Sequence, residues 1–370
     1  MGTDDRVRPR AVGSAGQSRL PRGDRRPTRP RRGPLDSVRS ARRHRIRSPP
    51  PPRSHESCLL VIPVLRTSDA WWVRHADGAS RVDTAATNTA ELLADRAALD
   101  AATASSERVS IHTLDLCSPV TAPCRVVAQM TNYRSHVEDS GMNPDTVPLT
   151  FFRKTSGSIS GPTDDVIKPA HVGLLDYEVE IGLVVGEPLE VGASVGEDDL
   201  ARHIAALVVT DDVSARDVQL PKTQFYESKS YPTFTPVGPV LGVLEDGDLR
   251  RFEQLRLTLR VNGEIRQDST VADMIYSPLE ALRTLARFQR LDTGDLVLTG
   301  TPGGTALTAP PKPVEIAGAF LPPALKWKIF FGKQGRNPKY LKDGDVLELT
   351  VGTDDGALDL GVQRTRVREA

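Results

Sequence analysis

The chain has 370 residues with 48 basic and 48 acidic side chains, so its formal charge is zero. That length suits one large domain or two smaller ones and is enough to bury most of the apolar surface. No stretch approaches the ~20 apolar residues of a membrane span, and the three cysteines (Cys58, Cys117, Cys124) lack C-x-x-C spacing. A disulfide scaffold and a cysteine zinc site are therefore not expected, and a reducing cytoplasm fits.

The zero charge hides two opposed parts. Residues 1–55 hold sixteen Arg, no Lys and four acids, a local charge of +12, which leaves residues 56–370 at −12. This leader also has nine Pro and almost no apolar residues, too little to offset the entropy of ordering, and is expected to be disordered. The reading is of an extension dispensable to the acidic body. Nucleic-acid binding by phosphate neutralisation and an organellar transit peptide are the alternatives. The first lacks interleaved aromatics for base stacking; the second is opposed by the Pro content.

Residues 56–125 read as a small N-terminal αβ domain. "CLLVIPVLR" and "AWWVRHADGASRVD" look like strands, the second broken by a turn at Asp77-Gly78, and 88–104 reads as a helix. Strands dominate residues 126–370, from "CRVVAQM" through "YEVEIGLVVG", "AALVVTDDV", "LRLTLRVNGEIR" and "DLVLTG" to "DVLELTV". Two amphipathic helices interrupt them. One covers "EDDLARHIAAL", with Leu200, Ile204 and Leu207 on one face. The other starts at Ser277, with Pro278 in its first turn and Leu279, Leu282, Leu285 and Phe288 inward. Residues 305–342 carry six Pro and a cationic, aromatic second half, and read as an insertion forming a flap or a subunit contact.

The stretch "LLDYEVEIG" (174–182) is unusual for a buried strand. Asp176, Glu178 and Glu180 are two apart, so in an extended chain they share one side, opposite Tyr177, Val179 and Ile181. A solvated face, a salt-bridge ladder or a cation site would each explain the row. A second apolar run ends in "TDDVSARDVQ" with Asp211 and Asp212, and a third, "DLVLTGTPGG", ends in hydroxyls and glycines. Buried carboxylates cost several kcal/mol per ion unless paired. Glu-x-Glu with an Asp from a neighbouring strand offers three hard oxygens, a set suited to Mg²⁺, Mn²⁺ or Ca²⁺ rather than zinc.

In this order, "LLDYEVEIGLVVG", "DDVSARDVQ", "KSYPTFTPVGP", "VNGEIRQDSTVADMIYSP" and "GDLVLTGTPGG" resemble proteins of the fumarylacetoacetate hydrolase family. "NYRSHVEDSG" and "PLTFFRKTSGSISGP" are similar to its N-Y-x-x-H and F-x-K segments. The resemblance covers roughly 125–305 and 343–370. It implies an α+β, β-rich fold, a mixed β-sandwich roll with the site at one open end, and a homodimer formed through the catalytic domain.

The same resemblance implies roles for individual residues. Glu178, Glu180 and Asp212 would bind the divalent metal, Mg²⁺ foremost, with Asp176 and Asp211 behind them or capping turns. Lys229 would sit beside the site as a catalytic group. Tyr133, Arg216, Gln219 and Thr301 would contact substrate, with a salt bridge from Arg216 to Asp217 or Asp212 as the competing reading. His136 would be the catalytic base, oriented by an acid three residues on. Here that position is Asp139, with Glu138 beside it, and either could serve. The implied reaction is hydrolysis of a C–C bond in a β-diketo or α-keto acid, of fumarylacetoacetate or acylpyruvate type, from catabolism of aromatic compounds. An isomerase, decarboxylase or hydratase acting on a related keto or enol diacid is the alternative.

Overall fold

The computed structural model describes residues 61–245, 248–310, 313–314, 318 and 320–370. The leader 1–55, with His44 and His55, and also Cys58, lie outside the described residues. Chain order begins with β1 (Val61–Arg66), β2 (Trp71–His75), β3 (Gly78–Arg81), α1 (Thr89–Ala94), α2 (Arg96–Ala104), β4 (Val126–Met130), α3 (Arg134–Asp139) and β5 (Thr150–Lys154). Next come β6 (Ile159–Ser160), β7 (Asp165–Lys168), β8 (Leu175–Asp176), β9 (Val179–Val185), α4 (Leu200–His203), β10 (Ile204–Asp211), β11 (Ser214–Ala215) and α5 (Arg216–Lys222). The remainder is β12 (Thr235–Pro236), β13 (Leu241–Leu244), β14 (Leu255–Val261), β15 (Glu264–Thr270), α6 (Pro278–Leu285), β16 (Leu296–Leu298), α7 (Pro323–Gln334), β17 (Val346–Thr353) and β18 (Asp359–Glu369).

Nine strands form one sheet in the order β3-β2-β1-β13-β10-β9-β16-β4-β5, and five form a second, β15-β14-β17-β18-β7. The second sheet alternates: Leu255, Leu257, Leu259 and Val261 of β14 are buried while the residues between them are half-exposed, as a sheet with one wet face requires. It packs on the first sheet, with β17 and β18 against β10. β9 is buried at all seven positions because both its faces are covered. Ile181 shares one core with Leu257 and Leu349. Val184 shares the other with Leu92 of α1 and Leu99 of α2. Gly182 permits this packing, since a Cβ there would lie 2.6 Å from Val208 and 2.8 Å from Leu296.

The β-rich α+β architecture is as expected, with local differences. Of the span 56–125, the described residues 61–125 do not build a sheet of their own: β1 pairs antiparallel with β13 from Val61↔Leu244 to Val64↔Leu241, so β1–β3 extend the large sheet. The helix expected over 88–104 breaks at Asp95, which ends α1 and whose side chain caps α2 through the Ala98 N–H. The helix expected over 197–207 shrinks to the four residues of α4, and Ile204 and Leu207 belong to β10. There the run "IAALVVTD" gains more by pairing with β9 between two cores than one amphipathic face could supply. α6 does start at Ser277 with Pro278 in its first turn and a reciprocal Ser277–Glu280 capping box. It ends before Phe288, which is 60% exposed. Among the described residues no helix is long and apolar enough to cross a membrane.

Candidate metal centre

Four chain segments converge at one end of the nine-stranded sheet. β9 and β10 pair antiparallel with Asp211 opposite Val179 and Thr210 opposite Glu180, which puts the start of one strand beside the end of the other. β16 pairs with β9 through Leu298↔Gly182 and runs parallel to β4, so Thr299–Gly304 and Gln129–His136 leave at the same end. The row Asp176, Glu178, Glu180 is not one continuous strand edge. β8 pairs with β11 and β9 with β10, and all three carboxylates are buried.

One ligand oxygen from each of Glu178, Glu180 and Asp212 lies within 4.8 Å of the other two. Three buried cations surround this cluster. Lys229 Nζ donates to both Glu178 and Asp212. Lys154 Nζ donates to Asp212 and, at 2.8 Å, to the Phe234 carbonyl. Arg216 reaches Glu178 through Nη2 and Asp176 Oδ2 at 2.8 Å through Nε. The competing salt-bridge reading for Arg216 is thus realised with different partners, Asp176 and Glu178 in place of Asp217 or Asp212. Asp217 instead accepts the Gly173 N–H at 2.6 Å.

The backbone is held as tightly. Asp211 Oδ1 accepts the Glu178 N–H at 2.8 Å, and Asp176 accepts the N–H groups of Ala306 at 2.8 Å and Leu307 at 3.1 Å. Glu180 accepts the Gly300 N–H at 2.7 Å. Gly300 has φ +86°, and a Cβ there would meet Asn132 Cβ at 2.8 Å, so this turn needs glycine.

The charges do not balance. Asp176, Glu178, Glu180, Asp211 and Asp212 are five buried carboxylates facing three buried cations, Lys154, Lys229 and Arg216. Burial raises the Glu178 pKa, but Lys229 and Arg216 outweigh it and hold the group well below the usual carboxylate range. Glu180 bonds no cation among the described residues: burial, then Asp212 and Glu178, push its pKa well up against the weaker pull of Lys229. Burial likewise pushes Asp211 up to about 7, and its Oδ2 has no hydrogen-bond partner among the described residues. A deficit of two positive charges over the five carboxylates is what one divalent cation at the three converging oxygens would correct. The donor set therefore fits a divalent metal, which Glu178, Glu180 and Asp212 would hold.

These ligands lie in the wall of a cavity of about 1500 Å³, which His136, Arg216, Gln219, Lys229 and Thr301 also line. Gln219 Oε1 accepts from Arg216 at 3.0 Å. Thr301 Oγ1 donates to the Val179 carbonyl at 3.0 Å and accepts from Gln267 Nε2 at 2.8 Å. His136 is 9% exposed on α3, its Nδ1 has no hydrogen-bond partner among the described residues, and burial lowers its pKa.

Two expectations are corrected here. Asp139 does not orient His136: its Oδ2 accepts the Gly304 N–H at 2.9 Å, and Glu138 points to solvent. Tyr133 is fully buried and absent from the cavity wall, because it precedes α3 and packs inward with the main core.

Residues not singled out in the sequence also build the site. Lys154, the lysine of the F-x-K segment, is 3% exposed and bonded to Asp212. Gln129 lines the cavity at 3% exposure, its Nε2 sealed from solvent and without a hydrogen-bond partner among the described residues. Gln267 joins Thr301 to the Val179 N–H, accepting the latter at 3.0 Å. A lone Gln in a strand carries no pattern signal, so the last two were not legible.

Residues 125–368 match the family described as Fumarylacetoacetate (FAA) hydrolase C-terminal. Oxaloacetate tautomerase YisK of Bacillus subtilis is 30% identical over 65% of this chain and 71% of its own length. A 2,4-didehydro-3-deoxy-L-rhamnonate hydrolase of a Sphingomonas strain is 32% identical over 68% of this chain and 75% of its own. A crystal structure of a probable 2-hydroxyhepta-2,4-diene-1,7-dioate isomerase from Mycobacterium abscessus superposes with TM-score 0.63 at 30% identity, covering 84% of this chain and 99% of that one. These similar proteins carry the names of enzymes of three reaction types. With its motifs in order, its acidic cluster at the sheet end and a matched span of two thirds of its length, this chain belongs to the fumarylacetoacetate hydrolase family.

Proposed function

We propose that this chain is a divalent-metal-dependent hydrolase that cleaves a C–C bond in a β-diketo or α-keto acid, of fumarylacetoacetate or acylpyruvate type. One observation carries the reading: three converging buried carboxylates, part of a cluster of five that meets only three buried cations, sit in the wall of a large cavity beside a buried histidine. Bound there, a divalent cation, Mg²⁺ in this reading with Mn²⁺ or Ca²⁺ as substitutes, would polarise the keto-acid oxygens and stabilise the enolate that C–C cleavage releases.

The remaining work falls to side chains. Burial keeps the His136 imidazole neutral near pH 7, the form that takes a proton from water as it adds to the remote carbonyl. The bond from that carbon to the methylene then breaks, giving a carboxylic acid and a pyruvate-type enolate that picks up a proton. Burial opposes the charge on Lys229, but Asp212 and Glu178 outweigh it and raise its pKa, so a fixed cation borders the reacting oxygens. Aromatic-compound catabolism, a homodimer and a cytoplasmic location belong to the same reading.

A keto–enol tautomerase is the second reading. It is favoured by Asp139 bonding Gly304 in place of His136, because an imidazole without an orienting carboxylate suits one proton relocation better than activation of water. The tautomerase relative of 30% identity agrees with it. The deciding assay follows acetylpyruvate cleavage and oxaloacetate enol decay in parallel, with Mg²⁺ and after chelation. Metal-dependent cleavage supports the hydrolase. Accelerated enol decay with acetylpyruvate intact selects the tautomerase. Turnover that survives chelation, or that Glu178→Ala leaves at full rate, refutes the metal assignment.

A further inference from the structure

The cavity is larger than its polar end needs. Pockets for drug-sized ligands run about 300–1,000 Å³, whereas this one holds about 1500 Å³. A three- or four-carbon keto acid at the carboxylates would leave most of it empty. Away from the acidic cluster the wall is mostly apolar. Phe152 stacks on Phe225 at 5.1 Å beside Lys229, and the far side is made by Leu321, Trp327 and Phe330.

That far side belongs to residues 305–342, the stretch that the family motifs do not account for. Within it α7 is fixed to the body at its C-terminal end. Phe331 packs on the main core, Gln334 is buried and accepts from Tyr340 Oη at 3.1 Å, and Asn337 Nδ2 donates to the Ala306 carbonyl at 2.8 Å. Trp327, Phe330 and Phe331 brace one another, with ring centroids 5.4–5.7 Å apart. The aromatic faces toward the cavity are therefore held in place. On the same helix Lys326 and Lys333, with Arg336 just after it, line the cavity and form no ion pair among the described residues, a positive rim that draws anions in.

We infer that α7 builds a tail site continuous with the carboxylate cluster, so that the substrate is a keto acid with a long apolar acyl or aryl chain. The acid end lies at Glu178, Glu180 and Asp212, and the chain runs past Phe152 and Phe225 to Trp327 and Phe330. This rests on the keto-acid reading above and adds the class of its substituent. Burying a methylene is worth about fourfold in affinity (about 0.8 kcal/mol). Three buried methylenes thus predict a gap of about 60-fold between a long-chain and a short keto acid.

The test is calorimetric titration of the full chain with Mg²⁺, using pyruvate and 2-oxodecanoate, neither of which has a cleavable β-diketone. The expected result is at least 50-fold tighter binding of 2-oxodecanoate, with the ratio falling at least fivefold in Trp327→Ala and in Phe330→Ala. The Mg²⁺-induced rise in Tm serves as the check that each variant is folded. Metal-dependent binding of both acids with a ratio near one overturns the tail site and leaves the keto-acid reading standing. A ratio that both variants preserve overturns the role of α7. No binding of either acid, with or without Mg²⁺, overturns the keto-acid reading and the tail site together.

Discussion

Replacing Glu180 by Gln separates a cation site from a self-sufficient salt-bridge cluster. Glu180 is 1% exposed, accepts one backbone N–H and bonds no cation among the described residues, while Glu178 and Asp212 raise its pKa further. In chelator the wild-type carboxylate must hold an under-compensated charge or bind a proton. A raised folded-state pKa means that the native chain binds more protons than the unfolded one. The destabilisation from Glu180 therefore grows as pH rises above the ordinary carboxylate value. Gln keeps the Gly300 N–H partnered and can donate to a neighbouring carboxylate, so the variant in chelator should match or exceed wild type by about 1–3 kcal/mol at pH 7.5, and by less at pH 5. With metal the gap closes or reverses. A ligand at one hundred times its Kd adds about 2.7 kcal/mol, a rise of about 3–4 °C in Tm for a chain of this size. Glu180→Gln should lose most of that rise. Differential scanning fluorimetry across Mg²⁺ and Mn²⁺ series, at two pH values and with a chelator control, reads every term. A wild-type Tm indifferent to divalent ions, or a variant that keeps the full shift, would refute the charge argument.

Three further outcomes follow from particular contacts. His136→Gln should lower kcat by about 10²–10⁴ while keeping the metal-induced Tm shift. Because burial lowers the His136 pKa and the base must be neutral, the acid limb of kcat/KM in wild type should lie below pH 6.5; a limb above that value contradicts the assignment. Asp139→Ala removes the acceptor for the Gly304 N–H and should cost about 1 kcal/mol in urea unfolding, with kcat/KM within about tenfold of wild type. A loss of several hundredfold would restore Asp139 as the partner of His136. Gly304→Ala places a Cβ 2.1 Å from the Arg266 carbonyl at φ +102° and should destabilise by about 2–3 kcal/mol; unchanged stability would mean that the turn relaxes freely.

The acidic ribbon shows where reading along the chain succeeds and where it stops. Glu178, Glu180 and Asp212 were legible because each sits at the end of an apolar run, and a carboxylate beside "IGLVVG" or after "LVVT" must be either solvated or neutralised. Which of these applied was a tertiary matter, decided when β9 was covered on both faces and β10 brought Asp212 alongside. Ile204 and Leu207 are similar: their spacing suits a helix, but pairing with β9 places them in a strand between two cores.

Partners supplied from across the fold leave no local trace. Lys154 meets Asp212 58 residues away, and Gln267 meets Thr301 34 residues away. Asp139 was matched to His136 by proximity in sequence, whereas the fold offers its carboxylate a nearer donor in the Gly304 N–H. Sequence alone determined the chemistry of the donors, three hard oxygens and a histidine. Only the folded chain decided how many cations share those oxygens and that α7 walls the same cavity, because charge compensation and enclosure depend on distances that spacing along a chain does not encode.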